Sequence, residues 1–287
     1  MKLLKKIVAI TCLLLILSSS MLVFADIGPK DELIINVVNP PAERYYLDIL
    51  TTDQSYESNL SQDDYADLDL NMLDVLQNYK EGKWHAAYAG GTNIPMWGNI
   101  EGVKANDEFI HTFGYLGLPD TCRIIIVTES GKVVVSEEFT RQSLHSSIKY
   151  DFTNNEVVQT PVLLGYIAQF ALTCLATLII EILILIAFKF DVKKNIKIVL
   201  AVNVVTQIIL TVIMGTVLMK NGSLAAYIIQ VPAEIAVICI EIYIFGKKMT
   251  GHTAKRRRIY ALVANLVSWG VGILMVAPIF QLFDKIL

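Results

Sequence analysis

Cysteine is scarce in this 287-residue chain, and the 4 it has are scattered. Cys12 falls in the N-terminal leader, and Cys174 and Cys239 fall in long apolar runs. Cys122 stands alone between them, so no disulfide can close within residues 26–160. Histidine is also sparse, with 4 in the chain and none inside a long apolar run. An intramembrane metalloprotease of the H-E-x-x-H kind is thereby excluded, and no serine in those runs has a base beside it. His85, His111 and His145 are far apart and lack metal-ligand spacing, which reads as surface or core histidine. Ser/His/Asp and Cys/His signatures and a Gly-rich phosphate loop are missing too, so the expectation is not an enzyme, with no metal and no cofactor.

Positive charge is the third shortage. Residues 26–160 carry 22 Asp or Glu against 9 Lys or Arg, a net charge near −13 that the whole-chain value of −3 conceals. Such acidity keeps a domain soluble and disfavours nucleic acid or an anionic lipid surface as partner. It is compatible with a cation or a cationic peptide. Asp63, Asp64, Asp67 and Asp69 invite a calcium reading, but the glycine and closing glutamate of an EF-hand are missing. Acid at the start of a helix is favoured by the helix dipole alone.

What is present in abundance is apolar sequence. Mean hydropathy is +0.52 and 54% of residues are hydrophobic. Lys2, Lys5 and Lys6 precede the short apolar core Ile7–Leu17, and Val23-Phe24-Ala25 fits a signal-peptidase site. Residues 1–25 therefore read as a cleaved signal peptide, 26–160 as an extracellular α+β domain, and 161–287 as a transmembrane domain. Four spans are expected, at about 164–188, 196–219, 224–245 and 259–283, each long enough for a ~30 Å hydrocarbon core. Lys189, Lys193, Lys194 and Lys197 follow the first span. Lys247, Lys248 and the run Lys255–Arg258 follow the third, whereas Lys220 is alone after the second. Positive residues stay inside, which puts the N-terminal domain and the C-terminus outside a plasma membrane.

Within the exported region Glu32–Val38 and Arg44–Thr51 read as a hairpin around Asn39-Pro40-Pro41. Ser61–Tyr79 carries a helical period, with Ser61 or Asp63 as cap. Strands follow at Glu108–Gly114, Arg123–Thr128, Lys132–Phe139 and Ser147–Phe152, with a turn at Ser130-Gly131. The sum is an antiparallel sheet of about six strands carrying one helix, followed by a linker at Asn154–Pro161 and an all-α four-helix bundle.

Polar residues interrupt the spans: Glu181, Asn203, Gln207, Glu234, Glu241 and Asn265. Glu181, Asn203, Glu241 and Asn265 all lie roughly 9 to 12 Å from the last cytoplasmic charge of their helices. They continue stripes of Gln169, Thr173 and Thr177, of Thr211 and Gly215, of Gln230, and of Ser268 and Gly272. Side chains this polar must face each other or a partner, either another membrane protein or a second copy of the chain. Three uses fit: protonated glutamates hydrogen-bonded to the asparagines as glue, a cation or proton site, or a docking face. Pro232 removes a backbone bond just before Glu234, where a transporter would break its helix.

Several segments carry a resemblance: Ile179–Ile182, Val202–Gln207, Glu241-Ile242-Tyr243 and Tyr260–Ser268. With the leader ending before Asp26-Ile27-Gly28-Pro29-Lys30, the chain resembles a family of Gram-positive anaerobes of the clostridial kind. That resemblance implies a signal peptide, a small sheet-rich exported domain and four helices. It lends no activity. The leading expectation is an extracellular binding or sensing module on a membrane anchor that docks on a partner. The alternative is a small cation or proton transporter or channel subunit using the intramembrane glutamates.

Overall fold

The computed structural model describes residues 30–53, 58–60 and 68–286. The leader and the expected caps Ser61 and Asp63 lie outside the described residues, as do Asp64 and Asp67 of the aspartate cluster. Two compact units separate at Pro161/Val162.

The first unit holds β1 (Glu32–Val38), β2 (Tyr45–Thr51), α1 (Leu70–Asn78), β3 (Lys80–Glu81), β4 (Trp84–Ala86) and β5 (Trp97–Gly98). It continues with β6 (Val103–Ala105), β7 (Glu108–Gly114), β8 (Thr121–Thr128), β9 (Val133–Val135), β10 (Phe139–Thr140), β11 (His145–Asp151) and β12 (Glu156–Gln159). One sheet runs β12-β11-β1-β7-β5 with β6 on β7. The other runs β10-β8-β2-β4-β3 with β9 on β8. The expected single antiparallel sheet is thus two sheets, and β1 pairs with β11 in parallel, Glu32 opposite His145 through Val38 opposite Asp151.

The expected β1–β2 hairpin is absent. β1 lies between β11 and β7, whereas β2 lies between β8 and β4 in the other sheet. Neither Pro40 nor Pro41 has an N–H to close a hairpin ladder, and Asn39 turns the chain at φ 49°. Leu33, Ile35 and Val37 alternate inward from β1, while all seven residues of β2 are buried. Both sheets feed one core with Ile124–Val127, Phe113 and Tyr150.

Helix α1 begins at Leu70, later than its period suggested. The Asp69 carboxylate caps it by accepting from the N–H groups of Asn71 and Met72. The expected strand Lys132–Phe139 is split into β9 and the start of β10. The expected linker contains β12, which pairs with β11 through a turn at Asn155, φ 54°.

Gly117 sits where two backbones nearly touch: a Cβ there would lie 1.8 Å from the Ile94 carbonyl oxygen. No rotamer relieves that overlap. Gly117→Ala is expected to cost the unit about 3 kcal/mol, read as a lowered urea midpoint at unchanged slope.

The second unit holds α2 (Val162–Ala187), α3 (Val192–Lys248) and α4 (Ala254–Ile286), each long and apolar enough to cross a membrane. The 57-residue α3 is broken at Gly222, φ 74° and ψ −175°, a conformation open essentially to glycine alone. The chain doubles back there. Thr206 donates to Glu241 Oε1 at 2.9 Å, although 35 residues of straight helix would separate them by roughly 50 Å. The second and third expected spans lie in the two arms of α3. Leu163, Ile167, Leu175, Ile179, Leu183 and Ile186 of α2 face outward.

Aromatic packing closes one end. Tyr260 is fully buried against Phe188, Phe190 and Phe245, with ring centroids 5.5 to 6.0 Å apart. Buried Asn195 locks the α2–α3 and α3–α4 connections, taking the Thr250 N–H at 2.8 Å and donating to the Thr250 carbonyl at 3.3 Å. Arg256 donates to the Phe188 carbonyl at 2.7 Å, and His252 Nε2 lies 2.9 Å from the Lys189 carbonyl. The two basic connections therefore meet at the same end of the helices.

Candidate functional site

In the helical unit, polar side chains of all four helical segments meet in one layer. Glu181, Asn203, Glu241 and Asn265 are each at most 3% exposed. Asn203 Nδ2 donates to Glu181 Oε2 at 2.6 Å, joining α2 to the first arm of α3. Thr206 ties the two arms through Glu241 Oε1, and Asn265 Nδ2 brings in α4 by donating to Glu241 Oε2 at 2.8 Å. Tyr260 Oη reaches the Glu181 carbonyl at 3.4 Å, completing the circuit from α4 to α2.

The remaining two sequence-derived positions lie beside this layer. Gln207 donates to Thr177 Oγ1 at 3.2 Å. Glu234 is only half-buried, on the second arm near Gly272, where a Cβ would stand 3.9 Å from its Oε1. It does not join the Glu181–Glu241 layer by any described bond.

Sequence reasoning missed Thr206, Asn195 and Tyr260. One threonine in an apolar run has no distinctive period, and Asn195 lay just outside the expected span. Tyr260 has no distinguishing signal in the sequence, because the aromatic cluster around it is drawn from distant positions.

From this layer a cavity of about 60 Å³ extends along the helices toward Gln169, Gln230 and Gly272. Glycines seat its polar walls. A Cβ at Gly215 would lie 2.6 Å from Gln169 Oε1, and one at Gly272 would lie 3.1 Å from Gln230 Nε2.

Asp48 and His111 are buried in the sheet unit, and neither is presented for chemistry. Asp48 is inaccessible, and its carboxylate accepts the N–H groups of Ile49, Tyr88 and Ala89 at 2.7 to 3.1 Å. Burial pushes its pKa up to about 6, against the three donors, which favour the charged form. His111 is equally buried, with Nδ1 3.0 Å from the Asn99 carbonyl and Nε2 3.1 Å from Tyr45 Oη. Burial pushes it down to about 4, so the neutral ring donates from Nδ1 and accepts at Nε2. Cys122 is buried as well, and its thiol is pushed up to about 12, which leaves it unreactive. Among the described residues no group of three or more His, Cys, Asp or Glu converges.

No protein-family model, no curated protein and no solved structure matches the chain. The fold and site define a membrane-associated α+β chain with a sheet-rich unit and a polar-cored helical unit.

Proposed function

We propose that this chain is a multi-pass plasma-membrane protein that displays an extracellular binding or sensing domain and does no catalysis itself. In this reading α2, the two arms of α3 and α4 form a four-helix transmembrane bundle. Residues 26–160, released from a signal peptide, and the C-terminus lie outside the cell. The observation that carries it is the meeting of the two basic connections, residues 188–195 and 247–258, at one end of the helices. Lysine and arginine concentrated at one end is the charge asymmetry that orients spans with that end in the cytoplasm. The net charge near −13 over residues 26–160 suits a cationic ligand. The clostridial-type resemblance implies the same architecture. Outward apolar faces leave room for docking on a membrane partner or a second copy.

Accessibility tests the topology. With Cys174 and Cys239 replaced by alanine, Ser223→Cys is expected to react with a membrane-impermeant maleimide on intact cells. His252→Cys is expected to react only after permeabilisation. The opposite pattern would overturn the reading.

The alternative, a cation or proton transporter or channel subunit acting through Glu181, Glu234 and Glu241, is favoured by the unpaired oxygens along the cavity. Unchanged ion flux in Glu181→Gln and Glu241→Gln variants would remove it.

A further inference from the structure

Four residues that line the cavity each bury an oxygen with no hydrogen-bond partner among the described residues: Gln169 Oε1, Asn203 Oδ1, Thr211 Oγ1 and Gln230 Oε1. Their residues are 3%, 1%, 5% and 5% exposed. Buried acceptors left in this state ordinarily cost a fold dearly, and native chains retain them only where something else pairs with them. The orientation of Asn203 is dictated by its surroundings. Its Nδ2 is committed to Glu181 Oε2 and the Val199 carbonyl, which leaves Oδ1 as its free group. Donors nearby are likewise committed, Gln207 Nε2 to Thr177 and Asn265 Nδ2 to Glu241 and Ala261. The lining is thus richer in free acceptors than in free donors, three amide oxygens against the Thr211 hydroxyl, which can serve as either.

We infer that this chamber, outward of the glutamate–asparagine layer, binds a small, partly hydrated monovalent cation. A cation turns the lone pairs of its remaining waters inward and their hydrogens toward the protein oxygens. A volume near 60 Å³ holds about four water-sized groups, enough for one ion with a reduced shell. Amide and hydroxyl oxygens replace the hydration of Na⁺ or K⁺, whereas a divalent ion dehydrates reluctantly without dedicated carboxylates. Both oxygens of Glu241 are engaged, by Thr206 and Asn265, and Glu181 gives Oε2 to Asn203 while its unpaired Oε1 belongs to a residue outside the lining. These two hold the floor of the site, and Glu234 joins its wall. The glycines are part of the construction, since Gly215 and Gly272 admit the two glutamine side chains.

The inference deepens the membrane reading and rests on it. Its test is thermal unfolding of the full-length protein in mild detergent, followed by fluorescence and titrated with NaCl or KCl in a choline chloride background at constant ionic strength. A saturable rise in Tm with Na⁺ or K⁺, absent with choline, is expected, and the stronger of the two identifies the ion. Thr211→Val, nearly isosteric, and Gln230→Leu are each expected to weaken the apparent affinity at least tenfold. Thr211→Val should also raise the Tm in choline alone, because it removes an unpaired hydroxyl. No cation-specific shift in the wild-type chain, or an unaltered shift in both variants, would overturn the site. Maleimide labelling judges the topology separately, so a silent titration with correct labelling removes the cation and leaves the membrane reading standing.

Discussion

As the pH falls from 6.5 to 4, the sheet unit carrying His111→Gln is expected to gain stability relative to the wild-type unit, by about 3 kcal/mol. Two buried groups have opposite linkage. Asp48 has a folded pKa near 6, above its ordinary 3.8, so between those values the folded state holds more protons than the unfolded one. Stability therefore rises as the pH is lowered through that window, by about 3 kcal/mol. His111 has a folded pKa near 4, below its ordinary 6.5, so the unfolded state holds more protons between those values. Its contribution falls by a similar amount as the pH is lowered. The two windows overlap and these two contributions oppose each other, on top of the slope from Glu43, Glu81 and Asp151, whose carboxyls are held below their usual range in the fold. Removing His111 exposes the Asp48 slope, and Asp48→Asn exposes the opposite one. The asparagine also puts an NH₂ or loses an acceptor where Ile49, Tyr88 and Ala89 donate, so it destabilises the unit at every pH. The measurement is urea unfolding of residues 30–160, whose core is drawn entirely from that unit, at pH 4, 5 and 6.5. A profile parallel to the wild type for both variants would refute the assignment.

Within the helices, Asn203→Leu is expected to be far more damaging than Glu181→Leu, although the two residues share one hydrogen bond. The difference lies in what each leaves behind. With Glu181 gone, Asn203 Nδ2 keeps the Val199 carbonyl at 3.0 Å. With Asn203 gone, Glu181 keeps nothing. Its Oε1 already lacks a partner and its Oε2 loses the only described donor, in a site with no solvent exposure. A stranded buried polar group costs roughly 1 to 3 kcal/mol, and more if charged, whereas replacing a polar group whose partner is otherwise satisfied is nearly neutral. Asn265→Leu should hurt less than Asn203→Leu, because Thr206 still serves Glu241. Tm values of the three variants in detergent give the order, and Glu181→Leu as the worst would contradict it.

The apolar runs of the helices were legible in sequence because composition and a 3.6-residue period report directly on burial in lipid or against neighbours. Alignment of Glu181, Asn203, Glu241 and Asn265 followed from counting residues inward from flanking lysines and arginines. The chamber was not legible. Whether Gln169 or Gln230 is unpaired depends on which neighbours consume its amide, and no spacing reports that. In the sheet unit β7 and β8 were readable from their alternation and turns. Strands of two or three residues, such as β3, β5 and β10, have too few positions to show a period. Partner choice was hidden as well, since alternation in β1 is the same whether it pairs with β2 or with β11.

The central place of β1 imposes a schedule on synthesis. Residues 32–38 emerge early, yet the strands on either side of them are 108–114 and 145–151. The parallel neighbour comes last, 113 positions behind its partner, and ordering so long a loop makes this a late and slow contact. Until then β1 has an uncovered edge of the sort that invites mispairing with another chain. Pro161 and α2 follow within about a dozen residues of β11. Closure of the sheet and the appearance of the first long apolar helix are thus neighbouring events in synthesis.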